Sequence, residues 1–207
     1  MTQMIGLAAR NISCQRGGRL IFRDLSFRLA PGEALLVSGP NGAGKTSLLR
    51  QIAGLLPLEA GELRLEGGSP GDALPELCHY VGHLNAVKAS LSLRENLAFW
   101  SGFLDGGKPR VEEALVAFGL APLADLPAGL LSAGQKRRLA LSRLFAAPRP
   151  IWLLDEPQAS LDAASLKRLD MAIEGHLARG GIAIVASHVP SKTKFAHSLA
   201  LGKERAT

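Results

Sequence analysis

At 207 residues, 47% of them hydrophobic, the chain can bury one sizeable core, or one core with a small appended lobe. A formal charge of +6, from 24 basic and 18 acidic residues, invites a nucleic-acid partner. Against that, Lys136-Arg137-Arg138 is the only tight basic run, and one Tyr with two Trp leave little to stack on bases, so no nucleic-acid binding is expected; a solvated helix face, or attraction to an anionic membrane surface, accounts for the charge.

The first residues, Met1-Thr2-Gln3-Met4-Ile5, lack a basic n-region and a cleavage site, and no apolar stretch approaches the roughly 18 residues of a membrane span. Cys14 and Cys78 form no metal spacing, no C-x-x-C pair and no C-x-x-C-H haem-attachment motif, which suits a reducing, cytoplasmic compartment. Residues 5–27 read as strand, with Leu25, Phe27 and Leu29 alternating against Ser26 and Arg28, and Leu63 and Leu65 repeat the alternation after Gly61. That pattern predicts a half-buried antiparallel sheet.

Within this bracket the apolar run Ala34-Leu35-Leu36-Val37 leads into Gly39-Pro40-Asn41-Gly42-Ala43-Gly44-Lys45-Thr46-Ser47, which fits the phosphate-loop pattern G-x-x-x-x-G-K-[ST]. Bare backbone N–H groups can surround a triphosphate only where no Cβ intervenes, hence the glycines. A helix over residues 45–53, closed by Gly54, brings the Lys45 ammonium and the positive end of the helix dipole to the β- and γ-phosphates together. Thr46 offers a hydroxyl to Mg²⁺. A Gly-rich turn capping a helix is the plainer alternative for these residues taken alone.

From about Ser90 the texture turns helical. Ser92-Leu93-Arg94-Glu95 is a capping box that starts an amphipathic run through Phe99, Trp100 and Phe103; after a loop at residues 105–108, Pro109 opens another helix with Val111, Leu115 and Phe118 on one face. These helices form a separate lobe. Next, Leu131-Ser132-Ala133-Gly134-Gln135 leads into a helix over residues 136–145, where small residues at a helix start make a second anion site. One phosphate loop has little use for a second site of its own, so this one is expected to face the nucleotide of another subunit.

Ile151-Trp152-Leu153-Leu154 and Ile182-Ala183-Ile184-Val185-Ala186 are continuous apolar runs of strand length, as in a parallel sheet buried on both faces, with a crossover helix over residues 163–179. At the end of the first stands Asp155, a carboxylate for the Mg²⁺ side of the phosphates, directly or through water. Glu156 follows, close enough to orient or deprotonate an attacking water, and is the best candidate general base. Alone, an Asp-Glu pair after a strand could equally be a loop start that caps a helix.

Taken together these elements resemble the ATP-binding subunits of ABC transporters, over essentially the whole chain. Gly39 to Thr46 are similar to the family's Walker A loop, residues 151–155 to its Walker B strand, Glu156 to its catalytic glutamate, and Leu131 to Gln135 to its LSGGQ signature, with Ala133 in place of a glycine. Ser160-Leu161-Asp162 resembles the D-loop, and His188 the switch histidine that contacts the γ-phosphate. The resemblance implies an α/β P-loop NTPase with a RecA-like parallel-sheet core, a single ABC ATPase domain in which residues 1–89 hold the N-terminal antiparallel β subdomain and the Walker A core, 90–146 an inserted α-helical subdomain carrying the signature, and 147–207 the core with Walker B, the D-loop and the switch histidine. It also implies ATP and Mg²⁺ as ligands, and a homodimer holding ATP between Lys45 and Thr46 of one copy and Ser132 and Gly134 of the other.

Two departures stand out. Where the family usually stacks an aromatic on adenine, Arg16 stands in Cys14-Gln15-Arg16-Gly17-Gly18, and a guanidinium plane can also stack on a base. Where the family usually has the Q-loop glutamine, His83 stands in His79-Tyr80-Val81-Gly82-His83; it can hydrogen-bond toward Mg²⁺ or water. The Gly82-His83 pair, the Ala-Gly-Gln signature, the compact opening and the short tail resemble one subfamily, the ATP-binding subunits of c-type cytochrome biogenesis, also described as haem exporter ATP-binding proteins. That resemblance implies a peripheral position on the cytoplasmic face of the inner membrane, an integral membrane partner like CcmB, and haem-handling proteins like CcmC, CcmD and CcmE. In it Trp100 or Phe103 is a candidate contact for the membrane partner. An ABC ATPase for a lipid, drug or peptide would share every motor residue. A nucleic-acid-associated ABC protein would need more chain, and a P-loop kinase would have no use for Leu131 to Gln135 together with His188.

Overall fold

The computed structural model describes residues 4–104, 110–188 and 193–202. In chain order the elements are β1 (Gly6–Arg16), β2 (Arg19–Leu29), β3 (Ala34–Ser38), α1 (Lys45–Ile52), β4 (Ala60–Glu66), α2 (Leu74–Leu77), β5 (Cys78–Val81), α3 (Leu93–Phe103), α4 (Val111–Ala117), α5 (Ala133–Ala146), β6 (Ile151–Asp155), α6 (Ala163–Ala178), β7 (Ile182–Ala186) and β8 (His197–Ala200). The expected loop at 105–108 and the helix-opening Pro109 lie outside the described residues.

Two sheets form. An antiparallel sheet has the order β2-β1-β4, and a five-stranded sheet has the order β5-β6-β7-β3-β8 with every pairing parallel. Why the central strands read as unbroken apolar runs is visible in how their residues divide. Ile151, Leu153, Ile182, Ile184, Leu35 and Val37 face one core, with α1 and the antiparallel sheet. Trp152, Leu154, Ala183, Val185 and Ala34 face the other, with α3, α4, α5 and α6. Alternate side chains leave a strand on opposite faces, so burial of both faces demands apolar residues at every position.

The helical lobe is anchored by caps. Ser92 accepts the Glu95 N–H while the Glu95 carboxylate accepts the Ser92 N–H, the expected capping box. Ser132 and Gln135 make the same reciprocal pair, so α5 starts at Ala133 and not at Lys136. Proximity of a hydroxyl to the third N–H of a following helix sets the start, and the first turn therefore contains Ala133, Gly134 and Gln135. At the other end of the phosphate-loop unit α1 closes at Ile52, with Ala53 as its cap and Gly54 in the left-handed region at φ 71°.

The basic run on α5 is not a solvated face. Arg137 is 2% exposed and Arg138 donates to the Phe118 carbonyl at 3.2 Å. Further along the helix the buried Arg143 guanidinium lies 4.3 Å over the Trp100 ring, and burial lowers its pKa to about 10. Its carbonyl accepts from Nε2 of His79 at 2.9 Å, pinning β5 to the lobe. On the far side of the sheet edge His176 stacks on Trp152, ring centroids 3.9 Å apart, and donates to the carbonyls of Pro150 and Ile182.

Burial, with nearby Arg143 next in weight, pushes the His79 pKa down from 6.5 to about 3, and burial pushes that of His176 to about 4. Both rings are therefore neutral in the folded chain and titrate normally once it unfolds. Between about pH 6.5 and these lowered values the unfolded state binds more protons, so stability is full above pH 6.5 and falls as pH drops. At pH 5 the loss is about 2 kcal/mol for each ring. Denaturant midpoints at pH 7.5 and 5.0 will show this fall, and His79→Gln with His176→Gln will flatten it.

Candidate nucleotide site

Between the end of β3 and the start of α1 the chain must reverse within six residues while keeping its N–H groups inward. Gly39, Gly42 and Gly44 take φ values of 140°, 82° and 103°, all in territory that a side chain disfavours. Space adds to the demand at Gly44, where a Cβ would stand 2.5 Å from Cγ2 of Ile21 on β2. Pro40 and Ala43 close the turn, Ala43 N–H donating to the Pro40 carbonyl at 3.2 Å. Lys45, 7% exposed, folds its ammonium back over the loop, donating to the carbonyls of Gly39 at 2.8 Å and Pro40 at 3.2 Å.

β6 delivers the carboxylates. Asp155 is 2% exposed, and its Oδ2 accepts from the Thr46 hydroxyl at 2.8 Å and from the Tyr80 hydroxyl at 3.3 Å. Thr46 and Asp155 thus set two hard oxygen donors side by side, a donor set that fits Mg²⁺, which takes one or two protein oxygens and completes its shell with phosphate and water. Glu156 sits in the left-handed region at φ 48°, an unfavourable conformation for a non-glycine residue. Its N–H donates to the Ala186 carbonyl at 2.9 Å. Its carboxylate lies 3.9 Å from the Lys45 ammonium and 2.9 Å from Nδ1 of His188.

Lys45, Thr46, Ser47, Asn41, Gly42, Gly44, Asp155, Glu156 and His83 line one cleft of about 230 Å³, together with Ile21. A larger cleft, about 600 Å³, lies at the opposite end of the sheet against Trp152 and His176 and contains none of the phosphate-loop residues. The smaller one is the candidate site, because it gathers ionisable groups at the carboxyl ends of the parallel strands.

Other residues singled out from the sequence stand apart. Arg16 ends β1, exposed, at the hairpin before the strand that supplies Ile21, and is not in the cleft lining. Ser132 to Gln135 form the first turn of α5, also outside that lining, and Asp162 caps α6 by accepting the Ser165 N–H at 2.8 Å. The first turn of α5 lies against the loop that leads into α6: a Cβ on Gly134 would stand 2.7 Å from the Ser160 carbonyl. Among the aromatic candidates, Phe103 and Phe99 are largely exposed and stacked on each other, whereas Trp100 is engaged by Arg143 and by a bond to the Ala86 carbonyl at 3.3 Å.

Two residues at the site escaped the sequence reading. Tyr80 escaped because one tyrosine in a short strand carries no motif. Arg137 was hidden within a basic run, although its spacing to Ala140, Leu141 and Leu144 puts it on the buried stripe of α5.

The family model described as ABC transporter matches residues 22–159. The cytochrome c biogenesis ATP-binding export protein CcmA of Nitrobacter winogradskyi is 50% identical over 184 residues, 89% of this chain and 92% of that protein. That of Rhodospirillum rubrum is 55% identical, covering 87% and 79%, and that of Rhizobium meliloti 51%, covering 93% and 96%. Among solved structures, an ABC transporter ATP-binding protein from Pyrococcus furiosus superposes with a TM-score of 0.80 at 22% identity, over 95% of this chain and 97% of that one, a likeness of fold. No helix among the described residues is long and apolar enough to cross a membrane. The chain belongs to the ABC transporter family and, within it, to the CcmA group of ATP-binding subunits for cytochrome c biogenesis, and it is an ATP-hydrolysing motor subunit.

Proposed function

We propose that the motor works as a homodimer on the cytoplasmic face of the inner membrane, where each ATP is held by Lys45 and Thr46 of one copy and by Ser132 and Gly134 of the other. The observation that carries the reading is the position of Glu156, its carboxylate within 3.9 Å of Lys45 and 2.9 Å of His188, next to the Thr46–Asp155 pair. Phosphoryl transfer asks the protein mainly for positioning and charge stabilisation. The glycine loop and Lys45 bind the phosphates. Glu156 takes the proton of the attacking water as the bond between the β,γ-bridging oxygen and the γ-phosphorus breaks, leaving ADP and phosphate. His188 orients Glu156 and contacts the γ-phosphate. Thr46 and Asp155 would hold Mg²⁺, which would supply neutralisation of phosphate charge.

The signature turn lies outside the cleft of its own chain, which supports its use by a second copy. Arg16 is retained as the residue proposed to stack on adenine, and His83 as the cleft residue at the Q-loop position. Closure of the dimer does work on an integral membrane subunit like CcmB, alongside proteins like CcmC, CcmD and CcmE, in haem export or release of the haem-loaded chaperone. The exposed Phe99–Phe103 pair supports a partner contact on α3, with Phe103 better suited than Trp100.

Glu156→Gln is expected to keep ATP affinity and lower turnover at least about 100-fold, trapping an ATP-bound dimer detectable by size-exclusion chromatography. Sustained hydrolysis by that variant would remove Glu156 from the role of base. Lys45→Ala is expected to lose ATP binding and, in cells, c-type cytochrome maturation together; unimpaired maturation, read by haem staining, would sever the link to that pathway.

A further inference from the structure

Arg137 lies on α5 two residues after the signature and turns its guanidinium into the protein. All five of its N–H donors are used. Nε donates to the Pro157 carbonyl at 3.2 Å, Nη1 to the Gly82 carbonyl at 2.8 Å and to Asn85 Oδ1 at 3.2 Å, and Nη2 to the carbonyls of Asp155 and Glu156, both at 2.9 Å. A guanidinium has five donors in a rigid plane, so this arrangement leaves it no spare bond and no rotational freedom. Its partners come from two segments. Gly82 and Asn85 flank His83 on the loop after β5; Asp155, Glu156 and Pro157 are the exit from β6.

A buried cation needs such satisfaction, since an unpaired one is strongly destabilising. That need does not explain why the bonds go to backbone carbonyls at these places. Glu156 holds an unfavourable φ of 48°, and two bonds grip its peptide unit: its own N–H to the Ala186 carbonyl, and its carbonyl to Arg137. The first ties it to β7, the second to the signature helix. We propose that Arg137 is a positioning residue that ties the signature helix to the β6 exit, so that the placement of α5 sets the aim of the Glu156 carboxylate and the stance of the His83 loop. When α5 moves as a rigid body with its lobe, the guanidinium carries both segments with it. The inference rests on the reading of Glu156 as the base.

The test uses the full-length chain with its membrane partner subunit, measuring ATPase kcat and KM, affinity for a fluorescent ATP analogue, and thermal midpoint. Arg137→Lys keeps the charge and loses the planar fork. It is expected to lower kcat about 10- to 100-fold, as small misplacements of reacting groups do, with analogue affinity changed less than about 3-fold. Wild-type kcat in this variant, or a parallel fall of kcat, affinity and midpoint, would overturn the proposal. Should Arg137→Lys fail to fold, Asn85→Ala carries the test: it removes the one side-chain acceptor and is expected to lower kcat about 2- to 5-fold at unchanged affinity. Unchanged kcat in that variant would overturn it. Combining either change with Glu156→Gln separates this idea from the one beneath it. If Arg137 acts through Glu156, the residual rate of Glu156→Gln is indifferent to the second substitution, and additive losses would refute the coupling. If Glu156→Gln alone hydrolyses at the wild-type rate, it is the base that has been misassigned.

Discussion

A parallel sheet covered on both faces can carry charge only where its strands end. β6 and β7 have no polar residue until Asp155 and Ser187, because every earlier side chain is committed to one of two cores. That constraint makes the site. It concentrates carboxylate and hydroxyl groups at one edge, and the reversal after β3 brings Lys45 and Thr46 to the same edge. The hydrogen bond from Thr46 to Asp155 joins residues 109 positions apart in sequence, and it exists because β7 alone separates β3 from β6.

Helical and sheet parts share an apolar core and are also joined by directed polar contacts. Gly134 lies against the Ser160 carbonyl, His79 donates to the Arg143 carbonyl, and Arg137 spans from α5 to both cleft loops. Such contacts have directions and lengths, so they transmit displacement in a way that interchangeable methyl contacts do not. A subunit that converts phosphate chemistry into movement has use for that property.

Much of this was legible in the residues. The glycine loop, the apolar runs and the Ser92 box each encode local geometry by spacing alone, and each appears close to where spacing puts it, α5 starting at Ala133, three residues before the expected Lys136, because the Ser132 side chain caps it. Glu156 and Asp155 were legible because they end an apolar run. What remained hidden depended on long-range placement. Arg137 resembled its neighbours in a basic run, and nothing short of the helical period distinguished the buried arginine from Lys136 beside it. Tyr80 became a partner of Asp155 only through the neighbouring of β5 and β6. The position of Arg16 relative to a base likewise depends on hairpin shape, which Cys14 to Gly18 do not encode by composition.

Lys45 carries a last consequence. Its ammonium ties the Gly39 and Pro40 carbonyls together, so the loop is braced by the side chain proposed to bind phosphate. A ligand arriving there meets a backbone already curved to receive it and need supply little of the ordering entropy that a slack glycine loop would demand. The glycines grant the turn its shape, and the lysine removes the freedom that glycine brings.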